Sequence, residues 1–258
     1  MQILISEIKH WMIEAGEMIK TALFDDSLTV DTKSERKDLV TNVDKMVQTY
    51  FAQKILTFDP KAKILGEENG QDHLNKWNGR VFVIDPIDGT MNFVLERENF
   101  CIMLAVYEEG QGILGFIYDV IKGQLLWGGR DIGVFLNEER VPQPANVSLK
   151  DGLLGMNAAM YARNSHNAQI MGDRAMGVRM SGCAGLELMG MVLGRRVGYV
   201  SNLAPWDYAA GGVLIEALGM KMSHITGRKL KLDGRERFLA GTPSAYEEML
   251  TLSQQNDD

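Results

Sequence analysis

The sequence has few cysteines, and the two that it has are isolated. Among 258 residues only Cys101 and Cys183 carry a thiol. Two cysteines so far apart in the chain provide neither a disulfide framework nor the paired spacing of a structural zinc site. This usage is typical of a reducing compartment, and we expect a cytoplasmic protein.

Segments that would enter a membrane are also missing, and so are basic runs. No apolar stretch approaches the roughly 20 residues that span a bilayer, and the first ten residues are amphipathic, unlike a signal peptide. The chain has 34 acidic and 27 basic side chains and a net charge of −7. These features predict no membrane and no nucleic acid among its partners.

The most informative stretch is a run of β-forming residues that ends in acids. Residues 81–84 (Val-Phe-Val-Ile) are typical of a buried strand. Asp85 follows, then Pro86, which has no N–H and is expected to end the strand pairing, and then Asp88. Carboxylates fixed at a strand end, beside a helix start at Gly89 that can bind an anion, suit Mg²⁺ and a phosphate ester. The same residues are ordinary turn formers, so turn chemistry is an equally good interpretation of this stretch alone.

Two further acidic motifs precede and follow this stretch. Residues 63–69 are predicted to form a short strand that ends in Glu67 and Glu68, a pattern that alone indicates only a soluble surface. Residues 204–212 are predicted to begin a helix with Asp207 in its first turn, where an acid usually complements the helix dipole. Each of these acids therefore has a structural explanation when it is considered by itself.

Taken together, the three motifs resemble the metal-binding signature of the inositol monophosphatase family. The similarity rests on Asp-Pro-Ile-Asp-Gly-Thr-Met-Asn-Phe at residues 85–93, on Gly-Glu-Glu at 66–68 and on Trp-Asp-Tyr-Ala-Ala-Gly at 206–211. They occur in the family's order and spacing, so the resemblance covers nearly the whole chain.

The resemblance implies a layered αβαβα sandwich of the sugar-phosphatase type, of class α+β or α/β. The residue pattern itself predicts two amphipathic helices joined by the polar residues 24–38, then an antiparallel meander over residues 113–136. Shorter strands and helices alternate afterwards. We expect an N-terminal α+β lobe with an antiparallel sheet over residues 1–141, and a smaller C-terminal α/β lobe with a mixed sheet over residues 142–258.

The resemblance also implies a site for two or three Mg²⁺ ions. The first ion would be held by Glu67, Asp85 and the carbonyl oxygen of Ile87, and the second by Asp85, Asp88 and Asp207. Asp85 would therefore bridge the two ions. Thr90, with Glu67, would hold the attacking water, and the N–H groups of Gly89 and Thr90 would hold phosphate oxygens. The implied catalytic residues are thus Glu67, Asp85 and Thr90.

Asp44 has two interpretations that are compatible with each other. Thr41 followed three residues later by Asp44 is similar to a capping box, and an acid in a first helical turn complements the helix dipole. The family resemblance places Asp44 in the outer shell of a third, weaker metal position.

The implied activity is Mg²⁺-dependent hydrolysis of a small phosphate monoester by metal-activated water, with inositol 1-phosphate as the leading substrate. Two positions depart from the family pattern. Val200 stands where an acidic residue binds the inositol ring, and Cys183 stands where a hydroxyl residue lines the substrate mouth. NADP, fructose 1,6-bisphosphate and 3′-phosphoadenosine 5′-phosphate are therefore alternative substrates, and a non-catalytic metal-binding relative is a second alternative. The resemblance further implies lithium inhibition and a homodimer.

Overall fold

The computed structural model of the chain describes residues 1–23, 29–32, 39–68, 70, 72–74 and 76–255. The helices are α1 (Gln2–Ala22), α2 (Asn42–Phe58), α3 (Thr90–Leu95), α4 (Ala158–Ala162), α5 (Ala168–Arg174), α6 (Ala184–Val192), α7 (Pro205–Ala217) and α8 (Pro243–Ser253). The strands are β1 (Val30–Thr32), β2 (Leu39–Thr41), β3 (Lys63–Gly66), β4 (Arg80–Asp88), β5 (Cys101–Glu108), β6 (Gln111–Asp119), β7 (Gln124–Gly129), β8 (Gly133–Leu136), β9 (Glu139–Arg140), β10 (Leu153–Met156), β11 (Gly177–Arg179), β12 (Gly198–Leu203), β13 (Lys221–His224) and β14 (Glu236–Gly241).

Helices and sheets alternate in five layers. One sheet has the order β3-β4-β5-β6-β7-β8-β9, and a smaller sheet has the order β11-β10-β12-β14-β13. Helices α1 and α2 cover the outer face of the larger sheet, α6 and α7 pack between the two sheets, and α5 and α8 cover the outer face of the smaller sheet. The αβαβα sandwich is confirmed, and among the described residues no helix is long and apolar enough to cross a bilayer.

The two sheets differ in strand direction. The larger sheet is antiparallel except where β3 pairs with β4, whereas in the smaller sheet β10 runs parallel to β11 and β12. The predicted meander and the predicted mixed sheet are both present. The division into lobes at residue 141 stays a prediction. Of the predicted connection at 24–38, a short strand at Val30–Thr32 pairs with β2, and residues 24–28 and 33–38 lie outside the described residues.

Strand alternation on β4 aims the first acid into the middle layer. Phe82 and Ile84 pack beneath α1 and α2, while Val81 and Val83 face α6 and α7. Because successive side chains of a strand point to opposite faces, Asp85 belongs to the face that carries Val81 and Val83. The strand therefore presents this carboxylate on the side where α7 lies.

Pro86 does not end the strand pairing, and this expectation is wrong. Strand β4 continues to Asp88, whose Cα pairs with Cys101 of β5 after a register shift that begins at Asp85. A proline is tolerated in such a bulge because no ladder hydrogen bond is required from its nitrogen. The bulge turns the chain so that Asp85 and Asp88 both remain in the sheet.

Helix α7 packs unusually close to the larger sheet. A Cβ atom on Gly115 of β6 would overlap the carbonyl oxygen of Ala210, and one on Gly211 would overlap the side chain of Leu188 in α6. The glycines at these two contacts therefore allow α7 to lie close to β6 and to α6. This contact fixes the position of the helix that carries Asp207.

We expect Gly115→Ala to destabilise the protein by about 2 kcal/mol, because the new methyl group would push α7 away from β6. Gly177→Ala is the matched control, since the nearest atom to its added Cβ, Arg179 Nη1, lies 3.4 Å away. Denaturant unfolding of both variants measures the difference. Equal losses of unfolding free energy would show that the contact between α7 and β6 is not tight.

Candidate active site

A buried amide on α2 fixes the turn that carries Glu67. The N–H of Glu68 donates to Gln48 Oε1 at 2.8 Å, and Gln48 Nε2 donates to the Glu68 carbonyl oxygen. A Cβ on Gly66 would lie 2.7 Å from this amide, so a residue with a side chain at position 66 would clash with Gln48. Glu67 leaves β3 at this fixed point and is half-buried, and Glu68 is buried beside it.

The turn after Asp85 is closed by its own polar groups. Asp85 Oδ1 accepts a hydrogen bond from the N–H of Ile87 at 3.2 Å, and the Thr90 hydroxyl donates to the Ile87 carbonyl oxygen at 3.0 Å. Gly89 has a φ of 87° and begins α3, so the predicted helix start at this position is present. A residue with a side chain would be strained in this left-handed conformation.

Asp88 is held by the start of α6 and faces both cysteines. The N–H of Gly185 donates to Asp88 Oδ2 at 2.5 Å. The thiols of Cys183 and Cys101 lie 3.1 Å and 3.7 Å from the same oxygen. Burial raises the pKa of the Cys101 thiol to about 12 and that of Cys183 well above its ordinary value. A neutral thiol is a poor nucleophile, so Cys183 is better explained as a residue that lines the site than as a nucleophile.

Asp207 caps α7 and contacts an arginine. Its Oδ2 accepts the N–H of Ala204 at 2.8 Å, and Arg235 Nη1 lies 3.4 Å from the same oxygen. Arg235 Nη1 also donates to the Asn202 carbonyl oxygen at 3.4 Å. The predicted dipole-complementing position in the first turn of α7 is therefore occupied as expected.

Asp44 performs the predicted capping role and also contacts the turn of Thr90. Its Oδ2 accepts from the N–H of Thr41 at 2.9 Å and from the Thr41 hydroxyl, which completes the capping box of α2. Its Oδ1 accepts from the Thr90 hydroxyl at 3.3 Å. The third-metal interpretation of Asp44 stays a prediction, and the capping role leaves Oδ1 out of the cap.

The acids of all three motifs share one electrostatic field. Burial raises the pKa of Asp85 well above its usual range, and the charges of Glu67, Asp88 and Asp207 raise it further. Burial followed by the charge of Asp88 raises the pKa of Asp207 to about 8, against the opposing charge of Arg235. Such coupling requires proximity. The structure thus brings together the four side-chain carboxylates that the sequence predicted as ligands.

The oxygens of these four acids lie farther apart than the possible ligand atoms of Asp88 and the two cysteines. Among the described residues, no three of the carboxylates have oxygens within 4.8 Å of one another, whereas Asp88, Cys101 and Cys183 do form such a group. The donors of the acidic cluster are carboxylate and carbonyl oxygens, which are the ligands that Mg²⁺ prefers. Buried carboxylates that repel one another fit divalent cations, since a cation removes the repulsion.

The two departures from the family pattern lie in different surroundings. Val200 packs in the core beneath α5 and α8, on the outer face of the smaller sheet, whereas its neighbour Tyr199 faces α6 and α7. The Val200 side chain is therefore part of the hydrophobic core and does not line the acidic cluster. Cys183, in contrast, lies beside Asp88 within the site.

Sequence reasoning missed the residues that hold the site loops together. Asn92 Nδ2 donates to the carbonyl oxygens of Asn99 and Ser181, both at 2.8 Å. Glu187 accepts the N–H of Ser181 at 3.1 Å and pairs with Arg196 at 2.9 Å. These bonds fix the loop before α6 against the central turn. The signal for Asn92 was its place inside the central motif, but nothing in the sequence indicated its partners.

Comparison with known proteins shows the family to which the chain belongs. The chain belongs to the inositol monophosphatase family, whose family model matches residues 2–257. It is 38% identical over 249 residues to an inositol-1-monophosphatase of Bacillus subtilis, covering 94% of each chain. It is 30% identical over 201 residues to a fructose-1,6-bisphosphatase/inositol-1-monophosphatase of Thermotoga maritima, covering 78% of this chain and 77% of the relative.

Solved structures of similar fold include two complexes with ions. An IMPase/NADP phosphatase with Mg²⁺ and phosphate superposes with a TM-score of 0.92 at 29% identity, covering 99% of this chain and 97% of the other. A staphylococcal inositol monophosphatase-1 soaked in LiCl, described as an inhibitory complex, superposes with a TM-score of 0.91 at 30% identity, covering 99% and 96%.

The raised pKa of the buried acids predicts a pH-dependent stability when divalent ions are removed. An acid with a raised pKa in the folded protein favours folding at low pH, and this contribution is lost as the pH rises from about 4 to about 8 for Asp207. In EDTA we expect the melting temperature to fall by roughly 5 °C or more across this range, and Mg²⁺ to restore it most at high pH.

Asp207→Asn is the comparison variant for this measurement, because the amide cannot ionise. We expect a flatter pH profile of the melting temperature in EDTA and a smaller stabilisation by Mg²⁺. Identical profiles of the variant and the unmodified protein would contradict the assignment of Asp207 to the coupled cluster.

Proposed function

We propose that this chain is a Mg²⁺-dependent phosphatase that hydrolyses a small phosphate monoester, with inositol 1-phosphate as the leading substrate. The proposal is carried by the convergence of Glu67, Asp85, Asp88 and Asp207 in one field of coupled, mostly buried carboxylates. Such a cluster lowers the folding stability of the protein when no cation is bound. Divalent cations would neutralise the carboxylates and would also serve the hydrolysis of a phosphate ester.

The proposed ligands fall into two sets that share one residue. Glu67, Asp85 and the carbonyl oxygen of Ile87 would hold one ion, and Asp85, Asp88 and Asp207 would hold the other. Bound Mg²⁺ supplies a more acidic water and neutralises the charge of the phosphate and the leaving alkoxide. Backbone hydrogen bonds support the proposed ligand role of two of these acids. The N–H groups of Ala204 and Gly185 orient the carboxylates of Asp207 and Asp88.

Thr90 is proposed to position the attacking water together with Glu67. The Thr90 hydroxyl shares its proton between the Ile87 carbonyl and Asp44 Oδ1, so its oxygen is fixed in place and has lone pairs for a water proton. The N–H groups of Gly89 and Thr90 would hold phosphate oxygens, because the first N–H groups of a helix have no partner within it. Asp44 is proposed to lie in the outer shell of a third ion.

Arg235 favours a second candidate, in which the substrate carries another anionic group. Its side chain is 56% exposed and reaches to 3.4 Å from Asp207 Oδ2, so the guanidinium lies at the rim of the acidic cluster. Fructose 1,6-bisphosphate, NADP and 3′-phosphoadenosine 5′-phosphate each carry such a group, and Arg pairs readily with phosphate. The relatives whose names include fructose-1,6-bisphosphatase and NADP phosphatase activity support this candidate.

Further parts of the proposal concern inhibition, assembly and surroundings. We propose lithium inhibition, supported by the lithium complex of a structural relative, together with a homodimer and a cytoplasmic location. The net charge of −7 supports the absence of nucleic acid and membranes among the partners. The non-catalytic alternative differs from the proposal in one observable, the release of phosphate.

We expect Asp88→Asn and Asp207→Asn each to lower Mg²⁺-dependent phosphate release by more than about 100-fold. Loss of a residue that only contacts a metal ligand costs up to about 100-fold, so loss of a ligand should cost more. Each change removes a proposed ligand charge while keeping the side-chain shape. Phosphate release from inositol 1-phosphate measures the effect, and the exposed Asp173→Asn serves as the control. Unchanged turnover in both site variants would refute the ligand assignment, and Mg²⁺ binding without phosphate release from any tested substrate would establish the non-catalytic alternative.

Arg235→Gln is expected to separate the two substrate classes. If the substrate carries a second anion, its KM should rise by roughly 10-fold, because a charge-assisted hydrogen bond is lost. The KM for inositol 1-phosphate should change less than about 2-fold. We would measure the KM values for a panel of four substrates: inositol 1-phosphate, fructose 1,6-bisphosphate, NADP and 3′-phosphoadenosine 5′-phosphate. Arg237→Gln is the matched control. Equal effects on all four substrates would exclude a selective role for Arg235.

A further inference from the structure

The two cysteines of the chain meet beside Asp88. Although they are 82 positions apart, Cys101 Sγ and Cys183 Sγ lie 3.6 Å from each other. Cys101 begins β5 on the face that points to α6, and Cys183 is the N-cap residue that precedes α6. Both side chains are buried. The sequence indicated no thiol cluster because this proximity depends on how α6 packs on the larger sheet.

We propose that Asp88, Cys101 and Cys183 form a binding site for a thiophilic divalent cation such as Cd²⁺ or Zn²⁺. A tetrahedral site with metal–sulfur bonds of about 2.3 Å and a metal–oxygen bond of about 2.0 Å has sulfur atoms about 3.8 Å apart and sulfur–oxygen separations of about 3.5 Å. The observed separations are 3.6 Å between the sulfurs and 3.1 and 3.7 Å from the sulfurs to Asp88 Oδ2. The three donors therefore already have nearly the spacing of one face of the tetrahedron.

The surroundings of the three donors are also suited to a soft cation. A Cβ atom on Gly185 would overlap Cys101 Sγ and would lie 2.8 Å from Met103 Sδ, so a third sulfur borders the pair and the backbone of Gly185 packs directly against it. The Gly185 N–H fixes Asp88 Oδ2 in its orientation toward the thiols. Sulfur ligands select Zn²⁺ and other soft cations over Mg²⁺.

Binding is a simple exchange of protons for metal. Two S–H bonds break, two metal–sulfur bonds form and two protons pass to solvent, so no oxidant or reductant is needed. Three protein donors leave the fourth position of the tetrahedron for water. The capture depends only on these donors. Its effect on turnover rests on the proposed function, because a soft cation at Asp88 would withdraw this carboxylate from Mg²⁺.

Ultraviolet titration of the reduced, full-length protein with Cd²⁺ in excess Mg²⁺ tests the site. We expect a thiolate-to-cadmium absorption band that saturates at one Cd²⁺ per chain. In Cys101→Ser and in Cys183→Ser the dissociation constant for Cd²⁺ should rise by about 100-fold or more, since one of the two thiolate ligands is lost. Ca²⁺, which prefers oxygen ligands, is the matched ion control and should produce no band.

Inhibition of phosphate release by Cd²⁺ supplies the second readout. The unmodified enzyme should be inhibited at the Cd²⁺ concentrations that saturate the band. In Cys101→Ser, the Cd²⁺ concentration that halves turnover, measured against the variant's own rate with Mg²⁺ alone, should rise by about 10-fold or more. A band that appears without any phosphatase activity would support the cation site and contradict the proposed function. The proposal would be overturned if the unmodified protein showed no band. It would also be overturned if folded Cys101→Ser and Cys183→Ser showed a band as strong as that of the unmodified protein.

Discussion

The structure depends on keeping like charges close together in a place from which water is largely excluded. Asp85 and Asp88 lie on one bulged strand and Asp207 lies on a helix, and each loses most of its hydration when the chain folds. Backbone N–H groups compensate part of this loss at Asp88 and Asp207. The hydrophobic layers on either side of the cluster must supply the remaining free energy, since buried like charges oppose folding.

Helix α7 is the element through which this compensation acts. It lies between the two sheets, where its Ala210 backbone lies against Gly115 of β6 and its Gly211 lies against Leu188 of α6. Because close-packed interiors resist small displacements, the position of Asp207 relative to Asp85 is fixed by packing far from either carboxylate. The geometry of the site therefore depends on the packing of the whole of α7 in the middle layer, and not only on the first helical turn that carries Asp207.

The acids that cap two of the helices also belong to the candidate site. Asp44 uses Oδ2 to complete the capping box of α2 and Oδ1 to contact Thr90, and Asp207 accepts the N–H that begins α7 while it lies in the coupled cluster. A structural and a functional explanation of such a residue do not compete. A cap bond fixes a carboxylate at a known place, and a preorganised carboxylate is what a cation site requires.

The sequence by itself determined the first two long helices, the antiparallel meander, the capping box, the family signature at residues 85–93 and the identity of the clustered acids. Each of these follows from local periodicity, turn chemistry or a short motif. Only the tertiary structure decided that Pro86 lies in a bulge, that Val200 faces the outer core, that Arg235 reaches Asp207 and that the two cysteines meet. These features depend on strand register and on the packing of α6 and α7 between the sheets. Contacts between distant segments are set by the summed packing of whole layers, which no local pattern contains.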